Sequence, residues 1–339
     1  MITNKTIIVA ELSANHKSSL AIAKESIITA AKCGVDAVKI QTFNPEKITI
    51  NSKDDKFIVS EGLWKGKSLI DLYKEAYTPW EWFPELKLLA EENSIKLFSS
   101  PFDNEAVDYL NKFNPPYFKI ASPEIEDLDL IQHTAMTMKP IIISTGMAND
   151  KDIELAINAC YEVNNKNITL LHCISGYPTP MNEMNVAQII RLKKKFNCSV
   201  GLSDHSLNNY SSICAVALGA TMIEKHFTII GKDESLDGTF SLNPNQLESL
   251  VKDIRSIENC YGSDKEIIAQ SEKKTIQYKR SLYFVEDYVK GTPIRKEMIK
   301  SARPNLGISP QKLKDIIGKK ILKTVSKNEP VCSSDIENF

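Results

Sequence analysis

The sequence predicts an α/β protein, a (β/α)8 barrel followed by a small C-terminal domain. Three observations carry this. Short apolar, β-rich runs alternate with amphipathic helical stretches over residues 1–265, the rhythm of parallel strands buried on both faces. Each run finishes in polar or charged residues, as strands do when their C-terminal ends share one functional rim. Beyond residue 265 the rhythm breaks into lysine-rich short strands and turns. An open doubly wound sheet is the competing arrangement. It would gather ligands at one switch point and leave several strand-end groups unused.

The elements follow in order. TIIVAE (6–11) delivers Glu11. In KSSLAIAKESIITAAKCG, Leu20, Ala23, Ile27 and Ala31 recur at helical spacing. Ser18 or Ser19 can cap that helix, and Gly34 sits where it ends. VDAVKIQ (35–41) brings Lys39 and Gln41 to the rim. Residues 42–94 are too long for one crossover and hold all three tryptophans, in EGLWKGKSLIDLYKEAYTPWEW. Such a segment either shapes a pocket at the rim or packs a helix on the barrel's side.

IKLFSS (95–100) ends in Ser99 and Ser100 and leads into the helical NEAVDYLNKF. PYFKIAS (116–122) carries Lys119 and Ser122, and PIIIST (140–145) ends in Ser144 and Thr145 before KDIELAINACYEV. ITLLHC (168–173) contains His172, CSVGLSD (198–204) ends in Ser203 and Asp204 just before His205, and TMIEKH (221–226) closes on Glu224 and His226. The expected organisation is a catalytic barrel over 1–265, a helix or linker over 266–280 and a small domain over 281–339.

Composition narrows the function. Apolar residues make up 42% and charged residues 25% of 339, ordinary for a globular protein. A formal net charge of -1 points to neither nucleic acid nor a membrane surface. No apolar run approaches the ~18 residues of a membrane span. MITNKTIIVAEL lacks a signal-peptide layout. The seven cysteines form no CxxC pair, so reduced thiols and a cytoplasmic setting are expected.

His205 and His226 end adjacent strands, and neutral imidazoles on one rim suit a divalent ion with open positions. Asp204, Glu224 and Glu11 beside them strengthen that reading. Lys39 and Lys119 each interrupt an apolar strand. A buried lysine needs an acid or an anion, so a structural ion pair, phosphate or carboxylate recognition, and Schiff-base chemistry all stand open. Glu11 and Glu124 are acid–base candidates. His16, His133 and His172 are expected to be structural. Together a metal, cations, carboxylates and hydroxyls suit an anionic, phosphorylated substrate and a carbonyl to be polarised.

AELSANH (10–16), VKIQTF (38–43), FKIASPE (118–124), LLHCISGYPTP (170–180), GLSDH (201–205), EKHFT (224–228) and RPNLGISP (303–310) occur in order along the chain. Together they closely resemble the sialic acid synthase family, across both domains. The resemblance implies a barrel followed by an antifreeze-like (SAF) domain, usually in a domain-swapped homodimer. It implies a C–C bond-forming transferase that condenses phosphoenolpyruvate with an amino sugar to a nine-carbon 2-keto acid. The cofactor would be a divalent metal, typically manganese, magnesium or cobalt.

The aromatic LWKGKSLIDLYKEAYTPWEW resembles the branch that makes pseudaminate from 2,4-diacetamido-2,4,6-trideoxy-L-altropyranose. Ser175-Gly176 in CISGYPTP is a further hint, since neuraminate synthases more often show an asparagine near that place. N-acetylneuraminate and legionaminate synthesis are the alternatives, and a non-catalytic sugar-binding protein is the alternative of another class. By matching motif, His205 and His226 would hold the metal. Lys39, Lys119, Ser122 and Ser203 would bind phosphoenolpyruvate, with Ser100 nearby and Lys39 also part of the catalytic set. Glu11 and Glu124 would be the acid–base pair. Gln41, Ser175, Tyr177 and Asp237 would line the substrate, and Arg303 would meet the sugar's acyl group from a partner subunit. The family commonly has glycine two residues after this arginine, where the chain has Asn305. Asparagine tolerates a left-handed backbone better than most residues.

Overall fold

Strands as short and apolar as these need a neighbour on each side and a cover on each face. The computed structural model, which describes residues 5–262, 265 and 267–339, meets that need by closing the sheet on itself. The strands are β1 (Ile7–Glu11), β2 (Ala37–Thr42), β3 (Lys96–Pro101), β4 (Phe118–Ile120), β5 (Ile141–Ser144), β6 (Ile168–Cys173), β7 (Ser199–Asp204) and β8 (Met222–His226). They form a closed barrel in sequence order, all parallel. The register sets Glu11 beside Lys39 on one side and His226 on the other.

Side chains alternate along each strand, and the alternation divides two cores. Val9, Ala37, Phe98, Ile142, Leu171 and Met222 form one buried cluster, an apolar layer inside the barrel. Gly201 belongs to this layer. A Cβ there would lie 2.4 Å from the Met222 carbonyl oxygen and 2.6 Å from Leu171 Cδ2, so the barrel closes only with glycine at this point. The other parity, including Ile8, Ala10, Val38, Ile40, Leu97, Ile143, Leu202 and Ile223, joins a separate core with the helices. Two residues beyond the inner apolar layer, the inward positions become Glu11, Lys39, Ser100, Ser144, Cys173, Ser203 and Glu224.

The helix Leu20–Lys32 is capped by Ser19, whose hydroxyl accepts the Ile22 N–H at 3.4 Å, and buries Ala23, Ile27 and Ala30. Gly34 follows it at φ +84°. Residues 42–94 fold as helices Pro45–Ile48, Leu69–Ala76 and Phe83–Glu92 with short 3-10 turns. One expectation is corrected: β4 is confined to Phe118–Ile120 instead of 116–122. Pro116 has no N–H for a ladder, and at Ser122 the chain enters a 3-10 turn, Ser122–Glu124, with Pro123 in its first turn.

The chain divides into two compact units, residues 1–262 and 263–339. In the second, β9 (Ser281–Phe284) pairs antiparallel with β10 (Ile299–Ala302). Its own core holds Leu282, Phe284, Ile294, Met298, Ile316, Ile321, Val325, Val331 and Ile336. Residue 266, where the linker was expected to begin, lies outside the described residues. Asn305 has no positive φ. Its N–H donates to the Gln277 carbonyl at 2.9 Å, so the turn places no left-handed demand on this position. No helix of the described residues is long and apolar enough to cross a membrane.

Candidate active site

At the C-terminal end of the barrel the inward parity gathers four buried charges. Glu224 on β8 is their hub. Its Oε1 and Oε2 accept from Lys119 Nζ at 2.9 and 3.1 Å, and Oε1 lies 3.3 Å from Lys39 Nζ. Ser203 donates to the same Oε1 at 3.3 Å. Lys39 also faces Glu11 Oε2 at 3.0 Å and donates to Ser100 Oγ at 3.2 Å. Gln41 bridges Ser13 and Glu11, donating at 3.0 and 3.4 Å.

Four charges with almost no exposed surface are tolerable only because each has an opposite partner. Burial raises the Glu224 carboxyl, yet Lys119 and then Lys39 outweigh it and hold the group down at about 2. Glu11 goes the other way. Its burial outweighs the pull of Lys39, and the group is pushed up to about 7. Glu124, in the turn after β4, is likewise pushed up to about 7 by burial. The two acid–base candidates therefore titrate near neutrality, where proton exchange works best.

Next to these charges the hydroxyls converge. Gly146 donates its N–H to Ser122 Oγ at 3.0 Å. A Cβ on Gly146 would lie 2.3 Å from Ser175 Oγ and 2.7 Å from Ser122 Oγ, so the two serines and a peptide N–H share one small space. Lysine ammonium groups, hydroxyls and an N–H are what a phosphate or carboxylate needs. A Schiff base, in contrast, needs a neutral amine, and both lysines here are paired to Glu224.

The two histidines stand with ring centroids 5.3 Å apart. His205 Nδ1 lies 3.0 Å from the Ile174 carbonyl oxygen. Nδ1 therefore carries the proton; burial lowers the ring's pKa, but Cys173 and the Ile174 carbonyl outweigh it and raise it, so Nε2 has a lone pair to give in the neutral ring alone. His226 is held neutral, well below its usual pKa, chiefly by burial. Its Nδ1 has no hydrogen-bond partner, and Asp237 Oδ2 is 3.7 Å away. Two oriented imidazoles with lone pairs to give fit a divalent ion whose remaining positions go to water and substrate. Among the described residues no group of three or more His, Cys, Asp or Glu is arranged as a metal cage.

Aromatic rings complete the wall. Tyr177 lies 4.4 Å from the His205 ring and Phe240 4.8 Å from the His226 ring.

Glu11, Lys39, Gln41, Ser100, Lys119 and Ser203 thus come together as the sequence predicts, as do Ser122 with Ser175, His205 with Tyr177, and His226 with Asp237. Arg303 is an exposed residue of the second unit. Asp204 is corrected: it faces the helix layer and not the histidines. It pairs with Lys225 Nζ at 2.9 Å and accepts from Ser211 and Ser212, each at 2.6 Å. His16, His133 and His172 bond Thr78, Asp108 and the Met184 carbonyl, which makes them structural. Two features stand out only in the structure: Glu224 is the shared counter-ion of both lysines, and the buried hydroxyl of Ser144 has no hydrogen-bond partner. Counting strand parity from the apolar layer places both residues on the inward face.

The NeuB family profile matches residues 26–266, and the SAF domain profile matches residues 279–337. The chain belongs to the NeuB family. It is 42% identical to the pseudaminic acid synthase of Helicobacter pylori over 331 residues, 97% of either chain. The N,N'-diacetyllegionaminic acid synthase of Campylobacter jejuni is 36% identical over 329 residues, 96% of this chain and 98% of that one. Among solved structures, the N-acetylneuraminic acid (sialic acid) synthetase from Leptospira borgpetersenii in complex with citrate superposes with a TM-score of 0.72 at 30% identity. That match covers 80% of this chain and 90% of the other.

Proposed function

We propose that this protein is a pseudaminic acid synthase. It condenses phosphoenolpyruvate with 2,4-diacetamido-2,4,6-trideoxy-L-altropyranose to give pseudaminate and inorganic phosphate. The observation that carries the reaction class is the pair of buried lysines clamped by Glu224 beside two imidazoles with lone pairs to give. The sugar rests on the identity gradient from pseudaminate to legionaminate synthases.

Lys39 and Lys119 hold the carboxylate and phosphate of phosphoenolpyruvate, with Ser100, Ser122, Ser144, Ser175 and Ser203 donating around them. Fixed charges of this kind stabilise developing charge without reorganising during the reaction. The C3 carbon attacks the open-chain aldehyde, forming the new C–C bond. Glu11, partly protonated near neutrality, supplies the proton to the resulting alkoxide. Water then adds at C2 and loses its proton to Glu124. The C–O bond to phosphate breaks, leaving the 2-keto acid. His205 and His226 would hold a divalent ion, manganese, magnesium or cobalt, which supplies Lewis acidity toward the aldehyde. The reading includes a cytoplasmic homodimer with Arg303 serving the sugar's acyl group.

The test is phosphate release from phosphoenolpyruvate with manganese, comparing the diacetamido-trideoxy altrose with N-acetylmannosamine, each with and without EDTA. Release with the altrose alone, abolished by EDTA, is expected. Release with N-acetylmannosamine instead would overturn the sugar assignment and leave the chemistry standing.

A further inference from the structure

Trp64 lies at the tip of a turn in the long segment after β2. Val59 and the 66–67 stretch pair across that turn, with N–H to carbonyl distances of 2.9 and 2.8 Å. Its indole N–H donates to the Leu236 carbonyl at 3.0 Å, next to Asp237. Its ring stands 6.0 Å from Tyr177 and 6.5 Å from Phe240, which themselves lie 5.0 Å apart. Trp80 and Trp82, in contrast, pack against Tyr109 and His16 on the barrel's side. The tryptophans therefore divide between the Tyr177–Phe240 aromatic group and the packing of Tyr109 and His16.

Trp64, Tyr177 and Phe240 make one aromatic face that continues directly onto the rings of His205 and His226. The indole N–H is already committed to Leu236. Phe240 is almost fully buried behind the other two rings, so what this part of the wall offers a substrate is the partly exposed rings of Trp64 and Tyr177. Such a surface accepts a methyl group. It penalises a hydroxyl that must leave water without a partner.

We propose that Trp64 is a specificity-determining residue: it seats the deoxy carbon's methyl group of the sugar and disfavours a hydroxymethyl at that place. The inference rests on the function proposed above. An apolar wall discriminates weakly against an added hydroxyl, by at most about 100-fold, so the effect is a ratio and not an absolute block.

The experiment measures kcat/KM for the diacetamido-trideoxy altrose and for its 6-hydroxy analogue, in the wild type, Trp64→Phe and Trp64→Ala, with manganese. The KM for phosphoenolpyruvate is followed throughout. The expected result is a preference for the deoxy sugar in the wild type that Trp64→Phe keeps. Trp64→Ala narrows it by about 10-fold, and the phosphoenolpyruvate KM moves less than about twofold. An equal fall for both sugars in Trp64→Ala would make the residue a general cover and overturn the inference. So would an unchanged ratio. A wild type inactive with either sugar would instead strike the proposed function, which separates the two failures.

Discussion

Lys225 and Asp204 face each other across β7 and β8, register partners on the outward parity. The ammonium is 2.9 Å from the carboxylate, and both side chains are almost wholly buried. Lys225 also donates to the Ser206 and Asn208 carbonyls at 2.7 and 3.0 Å. Lys225→Met keeps the aliphatic volume and removes the charge, leaving a buried carboxylate uncompensated. Breaking a buried pair from one side costs roughly 3–5 kcal/mol. In a unit of this size each kcal/mol moves the midpoint by about 2 °C, so Tm should fall by about 6–10 °C.

The pH dependence of this loss has a definite sign. Burial raises Asp204, but Lys225 and the three serine hydrogen bonds outweigh it and keep the group below its usual pKa. In the wild type that stability is present above the unfolded carboxylate pKa and is lost as pH falls through the folded value. In Lys225→Met the folded pKa lies above the unfolded one, so protonation relieves the strain. The Tm gap between the two proteins is therefore widest near neutral pH and closes below about pH 4. Differential scanning calorimetry from pH 3.5 to 8 reads it. Asp204→Asn combined with Lys225→Met should recover more than half of the loss. A Tm within about 1 °C of wild type at pH 7 for Lys225→Met would refute the reasoning.

Glu124→Gln should lower turnover by ~10²-fold or more if the carboxylate takes the proton from water, as read by phosphate release; an unchanged rate would remove it from that role. In the wild type kcat/KM should pass through a maximum near pH 7, because burial-raised Glu124 must be ionised while Glu11 stays protonated, and Glu124→Gln should flatten the acid limb. Lys119→Met should raise the KM for phosphoenolpyruvate at least tenfold while sugar KM changes little, since the ammonium acts on the anion; equal changes in both would mean that the lysine only props up Glu224.

Much of the barrel was legible because buried parallel strands are nearly continuous apolar runs, and Gly34, Ser19 and the strand-end polar residues punctuate them. β4 was overextended because its prolines and its entry into a 3-10 turn interrupt pairing and not hydrophobicity. The site residues were legible as types at strand ends. Their facing was not, until one apolar residue per strand fixed the parity: Asp204 reads like His205 in sequence yet points to the opposite side. Trp64 was visible only as one of three tryptophans. Its contact with the Leu236 carbonyl joins positions far apart in the chain, and no local pattern encodes that.

At the ends of β7 and β8 the groups that line the candidate site and the scaffolding groups are neighbours in the chain: Ser203, Asp204, His205, and Glu224, Lys225, His226. Deleting one residue inside β8 would carry Lys225 into the reaction chamber and turn Glu224 and His226 toward the helices. Change of length is therefore forbidden in these strands and open only in the excursions between them. New sugar preferences within this architecture should be sought by exchanging the segment that carries Trp64, while the eight strands are left untouched.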